Sequence, residues 1–487
     1  MTKIPTGLET AQNKQFIIAL KKRFSQAELF LVGGIVRDAF LNKPTKDIDL
    51  VIRNVNKAQL EKFLASQGKV NLVGKKFGVF KFLPRGWQGP EIDIALPRTE
   101  HSIGLNGGYK NFKINSNAKL KIEDDLSRRD FTINAMAWDI TNQKLIDPFG
   151  GFKDLAKRTI KAVGRPELRF KEDYSRMLRA IRFSCQLDFK IEQATWKAII
   201  KEIKKINKVV AGERIVPHEV IAKELVKAIG TNPLKAIDLL DKSGALKVLI
   251  PELLKMKGCP QPRKWHTEGD CWKHTLLAIA NLASQKFKKE FPNQPITAEL
   301  IWGLLFHDLG KPYTIKRADR LRFNNHDNVS AKKFEEIARR LKLSSASLDI
   351  DKVSQLIAKH MFPTHSKSSE MKDTTVEKYF FNPDFPGAEL MMLIFADISA
   401  TIPKTGKPDF TEYLIIKKRI AKLAKQGRGQ QLPKPLVNGK DVIKKFQLKP
   451  GPQIGQLLNI AREAQLTGKA TTKSAILKLL AKKIKIS

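Results

Sequence analysis

Short apolar runs alternate with helical stretches through the first 150 residues. LFLVGG, DIDLVI, GVFKFL and EIDIAL are each the length of a strand, and the segments between them carry helical spacing. In EIDIAL the alternation puts Ile92, Ile94 and Leu96 on one face and Glu91, Asp93 and Ala95 on the other. From 151 to 260 the pattern turns helical throughout, with Pro and Gly only at joints. Residues 261–400 stay helical and hold six of the eight histidines. After Pro403 come a Lys-rich helical segment, a linker (KQGRGQQLPKP, 425–435) and a small helical unit up to Ser487. The pattern predicts four domains: 1–150, 151–260, 261–400 and 401–487. No run of about 18 apolar residues occurs, so no membrane-spanning helix is predicted.

Composition narrows the class. A 487-residue chain that is 42% hydrophobic can build cores, unlike a disordered basic protein. Its 89 Lys+Arg against 49 Asp+Glu leave a net charge of +40, which calls for a polyanionic partner: RNA, DNA or an anionic surface. The charge is uneven. Residues 261–400 carry +4, whereas 1–150, 151–260 and 401–487 carry +9, +11 and +16. The polyanion should therefore lie outside the histidine-rich block. Cys185, Cys259 and Cys271 are too few and too scattered for a disulfide scaffold or a CxxC zinc site. The N-terminal twenty residues lack the features of a secretory signal, so a cytoplasmic location is expected.

The stretch LFLVGGIVRDAFLNKPTKDIDLVI (29–52) carries the first chemistry. A strand ends in Gly33-Gly34, a helix follows, and a second strand bears Asp47 and Asp49, which two-residue spacing projects to one side. Two carboxylates on one face favour a cation between them, and oxygen ligands favour Mg²⁺. The glycine pair before a helix lets backbone N–H groups approach phosphate, and Arg37 can add a charge-assisted contact. Asp93 is the candidate third carboxylate, although an exposed strand face would look the same. This chemistry is two-metal nucleotidyl transfer.

The stretch resembles the head of class II tRNA nucleotidyltransferases and bacterial poly(A) polymerases. That resemblance implies an α+β, polymerase-β-like nucleotidyltransferase head and an all-α remainder. EDDLSRRDFTINAMAWD (123–139) resembles the family's second motif, which implies that Arg129 and Asp130 contact the nucleotide sugar and triphosphate. DPFGGFKDLAKRTIKAVG (147–164) resembles the connector into a helical neck. RFKEDYSRMLRAIRF (169–183) is similar to the family's nucleotide-selecting motif, with Glu172, Asp173, Arg176, Arg179 and Arg182 in place. Three residues apart, Asp173 and Arg176 would share a helical face, one accepting and one donating to the pairing edge of cytosine or adenine. Without the resemblance they would read as a helix-surface ion pair. AGERIVPHE (211–219) resembles the last neck motif, whose Glu213 and Arg214 are expected to brace the helix carrying Asp173 and Arg176.

In the histidine block, WGLLFHDLGKP (302–312) ends an apolar helix in His307-Asp308. With His274 and the distant Asp397 it resembles the HD phosphohydrolase motif, implying a hydrolytic divalent metal of unknown identity with an open position for water. His326 and His360 sit where some HD proteins carry ligands for a second metal; as plain residues they read equally as helix-end histidines. His266 and His365 are expected not to be ligands. HTEGD (266–270) places Thr267 where the nearest branch of this type has proline.

LVNGKDVIKKFQLKPGPQIGQLLNIAREAQLTGKATTKSAILKLLAKKIKIS (436–487) resembles the tail unit of tRNA nucleotidyltransferases. From residue 430 onward there are 12 basic residues and two acids, Asp441 and Glu463, which suits sequence-independent phosphate contacts. The leading expectation is a template-independent enzyme that adds or repairs the 3′-CCA of tRNA from CTP and ATP, with a possible HD phosphohydrolase activity. Alternatives are a poly(A) polymerase or partial CC- or A-adding enzyme, an HD phosphohydrolase with an RNA-binding head, and a non-catalytic RNA-binding protein. HSIGLNGGYKNFKINSNAK (101–119) is expected to be the loop involved in switching between C and A.

Overall fold

The computed structural model describes residues 11–45, 47–73, 79–87, 89–102, 112–317, 320–362, 370–428, 435–448, 451–466 and 469–484. The chain divides into two compact units, Met1–Pro251 with Arg340–Ser347, and Glu252–Arg339 with Leu348–Ser487.

The first unit opens with α1 (Ala11–Arg23) and β1 (Glu28–Val32), followed by α2 (Gly34–Phe40), β2 (Ile48–Arg53) and α3 (Lys57–Gln67). Then come β3 (Gly68–Val73), β4 (Val79–Pro84), β5 (Ile92–Ala95), β6 (Arg98–Ser102), β7 (Phe112–Ser116), α4 (Ile122–Ser127), β8 (Ala137–Asp139), β9 (Lys144–Ile146) and α5 (Gly151–Ala156). Seven strands form a mixed sheet in the order β3-β4-β5-β2-β1-β8-β9. The pair β2–β5 is parallel, and its neighbours in the sheet are antiparallel. The alternating burial of β4 and β5 follows directly from their sequences: Phe80, Phe82, Ile92 and Ile94 are fully buried while the residues between them face outward. The parallel register sets Asp49 opposite Asp93, and the antiparallel one sets Lys81 opposite Asp93. One row across the sheet thus carries Lys81, Asp93 and Asp49 on the same face. β6 and β7 pair as a separate ladder. Residues 103–111, most of the expected switching loop, lie outside the described residues.

The neck supplies α6 (Pro166–Glu172), with proline in its first turn, then α7 (Ser175–Leu187), α8 (Gln193–Glu202) and α9 (His218–Thr231). α9 packs along α7, and the segment 340–347 packs on α9 through a 3₁₀ turn at Leu343–Ala346, burying Leu343. Two short ladders interrupt the helical pattern expected here: Thr159–Ile160 with Lys190–Ile191, and Val209–Val210 with Glu213–Arg214. The second turns through Ala211 (φ 50°) and Gly212 (φ 78°), both left-handed, as a two-residue hairpin loop requires. Helical periodicity carries no signal for such a turn.

The second unit is helical. Helices Cys271–Asn281, Ala298–Phe306 and Ile350–Lys359 are capped by Asp270, Thr297 and Asp349, each accepting a hydrogen bond from a first-turn N–H. Helix Gly387–Ala400 is apolar nearly all round and packs on the first two. The tail forms three helices, Gly439–Phe446, Pro452–Leu466 and Lys473–Ile484, around their own core of Val442, Leu457, Ile476 and Leu480. No helix among the described residues is long and apolar enough to cross a membrane.

Candidate active sites

A cleft of about 1010 Å³ in the first unit collects the carboxylates, glycines and arginines that the head and neck motifs single out, except Glu172, Glu213 and Arg214, which do not line it. Asp47 lies one residue before β2 and Asp49 on it, and both line the cleft with Asp93. Burial raises the pKa of the Asp49 carboxyl; Arg129 opposes the rise, and the like charges of Asp93 and Asp47 add to it. Asp93 is held by Lys81, whose Nζ donates at 3.1 Å to Oδ1.

Within the glycine pair, Gly33 takes a part other than the one expected. The Gly33 N–H donates to the Met136 carbonyl and so is not free for phosphate. Gly33 is required for its φ of 74° and because a Cβ there would lie 2.6 Å from Arg129 Nη1. Its bareness lets the guanidinium sit beside Asp49. Arg37 is fixed by a two-nitrogen bridge to Asp38 and by donation to Asn134 Oδ1 at 2.7 Å. The buried Asp125 holds Arg128 and Arg129 together.

Three arginines project from α7, each with an acidic partner. Arg176 donates to Glu172 Oε2 (2.6 Å) and to the carbonyls of Arg169 and Arg128. Arg179 donates through two nitrogens to Asp130. Arg182 donates to Glu224 of α9 at 2.5 Å. The other Asp130 oxygen accepts from Phe131 N–H and Asn134. Burial penalises the Asp130 charge, but Arg179 and the Asn134 hydrogen bond outweigh it and hold the carboxyl far below its usual range. Both Asp130 oxygens are thus engaged within the protein, one of them on Arg179.

Two expectations are corrected. Asp173 and Arg176 do not share one helical face: Asp173 lies in the break between α6 and α7, extended at φ −151°, and its Oδ1 accepts from the Ser175 N–H. An acceptor two residues before a helical N–H favours that local bond over continuing the helix. Both residues still line the cleft. Nor do Glu213 and Arg214 brace α7. Arg214 donates to Asn207, at the end of the 3₁₀ turn before its hairpin, and a brace on α7 comes from Glu224.

The second unit gathers the histidines. His274, His307 and Asp397 present ligand atoms within 4.8 Å of one another, and so do Asp308, His326 and His360. Asp308 joins the sets: Oδ2 lies 3.4 Å from His307 Nε2, and Oδ1 lies 3.4 Å from His326 Nε2 and 3.8 Å from His360 Nε2. The Nδ1 atoms of His307, His326 and His360 sit 2.7–2.8 Å from the carbonyls of Leu304, Phe323 and Ile357. Donation there turns each Nε2 inward, the arrangement metal ligands need once that nitrogen has shed its proton. His326 and His360 bring two such nitrogens to 3.2 Å, close enough to share a proton or to meet one cation. His307 Nε2 is buried without a hydrogen-bond partner, so the donor set fits divalent metal.

The electrostatics agree. Burial works against a charged His307, yet Asp308 and Asp397 outweigh it and lift its pKa to about 10, so the site attracts positive charge. Burial and the neighbouring His326 and His307 push His360 down to about 3, leaving it a neutral ligand. His365 lies outside the described residues. His266 stands apart from the two sets joined by Asp308, with Nδ1 against Glu268 Oε1 at 2.7 Å.

Sequence reasoning passed over several residues here. Glu268 Oε1 faces His274 Nδ1 at 2.9 Å, orienting that ring, and its other oxygen accepts from Ile402 N–H. The acid was visible in HTEGD, but nothing local ties it to His274. Lys311 lies 2.6 Å from Asp308 Oδ2, anchored by Gln261. Thr267 donates both N–H and hydroxyl to the Ile402 carbonyl, and the N–H bond is one that proline could not make. Lys81, Asn134 and Glu224 were also unassigned.

A sheet that ranks three carboxylates beside an arginine-lined helix, and a separate helical block with bridged histidine ligands, define a class: a nucleotidyltransferase that carries an HD domain. Models of the poly(A) polymerase head domain match residues 29–161, of the RNA-binding site of polymerase A 188–256, of the HD domain 274–398, and of tRNA nucleotidyltransferase domain 2 417–480. A multifunctional CCA protein of Actinobacillus pleuropneumoniae is 35% identical over 358 residues, covering 72% of this chain and 79% of that protein. One from Neisseria meningitidis serogroup B is 36% identical over 320 residues, covering 65% and 68%. The fold is that of the Bacillus stearothermophilus CCA-adding enzyme solved with CTP (TM-score 0.56, 22% identity, 98% and 97% coverage). The Thermotoga maritima CCA-adding enzyme solved with tRNA is similar (TM-score 0.53, 21% identity, 96% and 95% coverage). The chain belongs to the multifunctional CCA protein family, bacterial CCA-adding enzymes with an HD domain.

Proposed function

We propose that this nucleotidyltransferase adds or repairs the 3′-terminal CCA of tRNA from CTP and ATP, choosing each nucleotide with protein side chains instead of a nucleic-acid template. The observation that supports it most is the convergence of Asp47, Asp49 and Asp93 with Asp173 and Arg176 in one cleft. The three carboxylates would hold Mg²⁺, which when bound activates the RNA 3′-hydroxyl and neutralises the triphosphate. Arg129, lodged against Gly33, presents positive charge to the triphosphate beside Asp49. Asp173 offers an acceptor and Arg176 donors to the pairing edge of the base, and Glu172, Asp130 and Glu224 hold the arginine row in place.

The HD residues His274, His307, Asp308 and Asp397, with His326 and His360, would hold divalent metal for phosphoester hydrolysis of the phosphatase or cyclic phosphodiesterase kind. Their imidazole-rich donor set suits a first-row transition metal better than Mg²⁺. Head, neck and tail carry the charge for tRNA, in keeping with a cytoplasmic enzyme.

The test supplies purified protein with tRNA lacking CCA, and with CTP and ATP singly and together. Ordered addition of two C and one A is expected. A long A tail from ATP alone would overturn the CCA reading in favour of a poly(A) polymerase, and addition of only CC or only A would mark a partial enzyme. Deleting residues 430–487 should weaken tRNA affinity and flatten its salt dependence.

A further inference from the structure

α9 turns one stripe of side chains into the catalytic cleft: Glu219, Lys223 and Lys227, spaced four apart. The lysines are exposed, and among the described residues neither makes a hydrogen bond or ion pair. Their setting is unfavourable to them. Lys227, though largely exposed, is held below the usual lysine range by partial desolvation against the cleft wall first and then by Lys223 and Arg182. Like charges four apart on a helix destabilise it slightly. The acid placed to relieve Lys223 is Glu219, four residues N-terminal, the favourable order for a helical pair. Glu219 is instead engaged by Lys342, whose Nζ donates at 2.6 Å from the 340–347 segment of the same unit. That segment also brings Ser345 to the cleft wall. The strap thus removes the counter-charge from the lysine pair.

The two flanks of the carboxylates differ. Arg129 and Asp49 meet at the Gly33 turn, where a Cβ would lie 2.6 Å from Arg129 Nη1 and 3.6 Å from Asp49 Oδ2, while Lys223 and Lys227 line the cleft from α9. Nucleotidyl transfer proceeds in line, so the attacking 3′-hydroxyl and the departing pyrophosphate lie on opposite sides of the α-phosphate. With the triphosphate on the Arg129 flank, the α9 flank is left for the attacking strand.

We propose that Lys223 and Lys227 bind the backbone phosphates at the 3′ end of the acceptor strand, and that Lys342 keeps them available by holding Glu219 away. This rests on the nucleotidyltransferase reading above. No step of the reaction passes through these lysines; they position the strand whose 3′-oxygen attacks.

The test uses the full-length Lys223→Gln/Lys227→Gln variant. KM for a tRNA lacking CCA should rise about tenfold while KM for CTP stays within about twofold of the parent. The slope of log affinity against log salt, measured on RNA binding without nucleotide, should become shallower by about 1.4, or 0.7 per single-strand contact. Lys223→Arg/Lys227→Arg should retain the parent values. A raised KM for CTP with unchanged RNA binding would overturn the proposal and place the lysines on the triphosphate; no change in either would overturn it outright. Because the salt slope needs no turnover, failure of the parent to incorporate nucleotide would strike the underlying reading and leave this one measurable. For the strap, Lys342→Met should raise KM for RNA about threefold by freeing Glu219 to pair with Lys223. Adding Glu219→Gln should restore it, and a loss that Glu219→Gln does not restore would overturn the role given to Lys342.

Discussion

The transferase cleft and the histidine cluster both assemble acids around a space for cations, but they do so in opposite ways. In the cleft the acceptors are carboxylate oxygens on a sheet face, part exposed, and Lys81 and the α7 arginines are tied to internal acids before any ligand arrives. In the cluster every ligand but the half-buried Asp397 is buried, imidazole nitrogens predominate, and backbone carbonyls fix three of the rings. Hard oxygens in an open cleft suit an ion that comes and goes with a nucleotide; locked nitrogens in a buried one suit an ion that stays.

That contrast breaks most sharply under substitution of the ligands. Asp49→Ala should lower CTP incorporation by about three orders of magnitude and leave phosphoester hydrolysis intact, whereas Asp308→Ala should do the reverse. Rates of both reactions on each variant decide it, and a variant that loses both would show that the two sites are not separate. Chelation should come next in size. After EDTA treatment and dialysis, Mg²⁺ alone should restore incorporation, while hydrolysis should need a first-row transition metal.

Glu268→Gln should lower hydrolysis by about ten- to a hundredfold without altering metal-free folding, because it loosens the orientation of His274. The smallest effect concerns Asp49. Its folded pKa is raised, so its favourable contribution to metal-free stability is complete below the unfolded value and is lost as pH rises through the folded one. At neutral pH without Mg²⁺, Asp49→Asn should therefore raise Tm by about 2 °C, and the gain should vanish near pH 3. An unchanged or lower Tm at neutral pH would contradict the raised carboxyl.

The two sites were not equally legible. The alternation of Ile92, Ile94 and Leu96 told which way Asp93 faces, and the two-residue spacing paired Asp47 with Asp49. The β2–β5 register that ranks Asp93 beside Asp49 is a long-range pairing with no local signature. The HD ligands were found by motif, but Glu268 and Lys311 act through contacts that only folding creates. Local chemistry also misled. The spacing of Asp173 and Arg176 suggested one helix, and the Asp173 side chain itself ends the first helix by accepting from Ser175. The strap at 340–347 reads as part of the histidine block, yet it packs in the other unit on α9.

The bonds of Arg176 carry a final consequence. Three of the five guanidinium hydrogens are already committed, two to the Arg169 carbonyl and Glu172 and one to the Arg128 carbonyl, so two remain for a base. A side chain moored to both the head and the neck cannot swing to meet a second kind of base without releasing its anchors. Under the proposed function it would act as a fixed gauge. Any change from cytosine to adenine must then come from what moves around the gauge: the growing RNA end, the seating of the nucleotide, or the lip of the cleft.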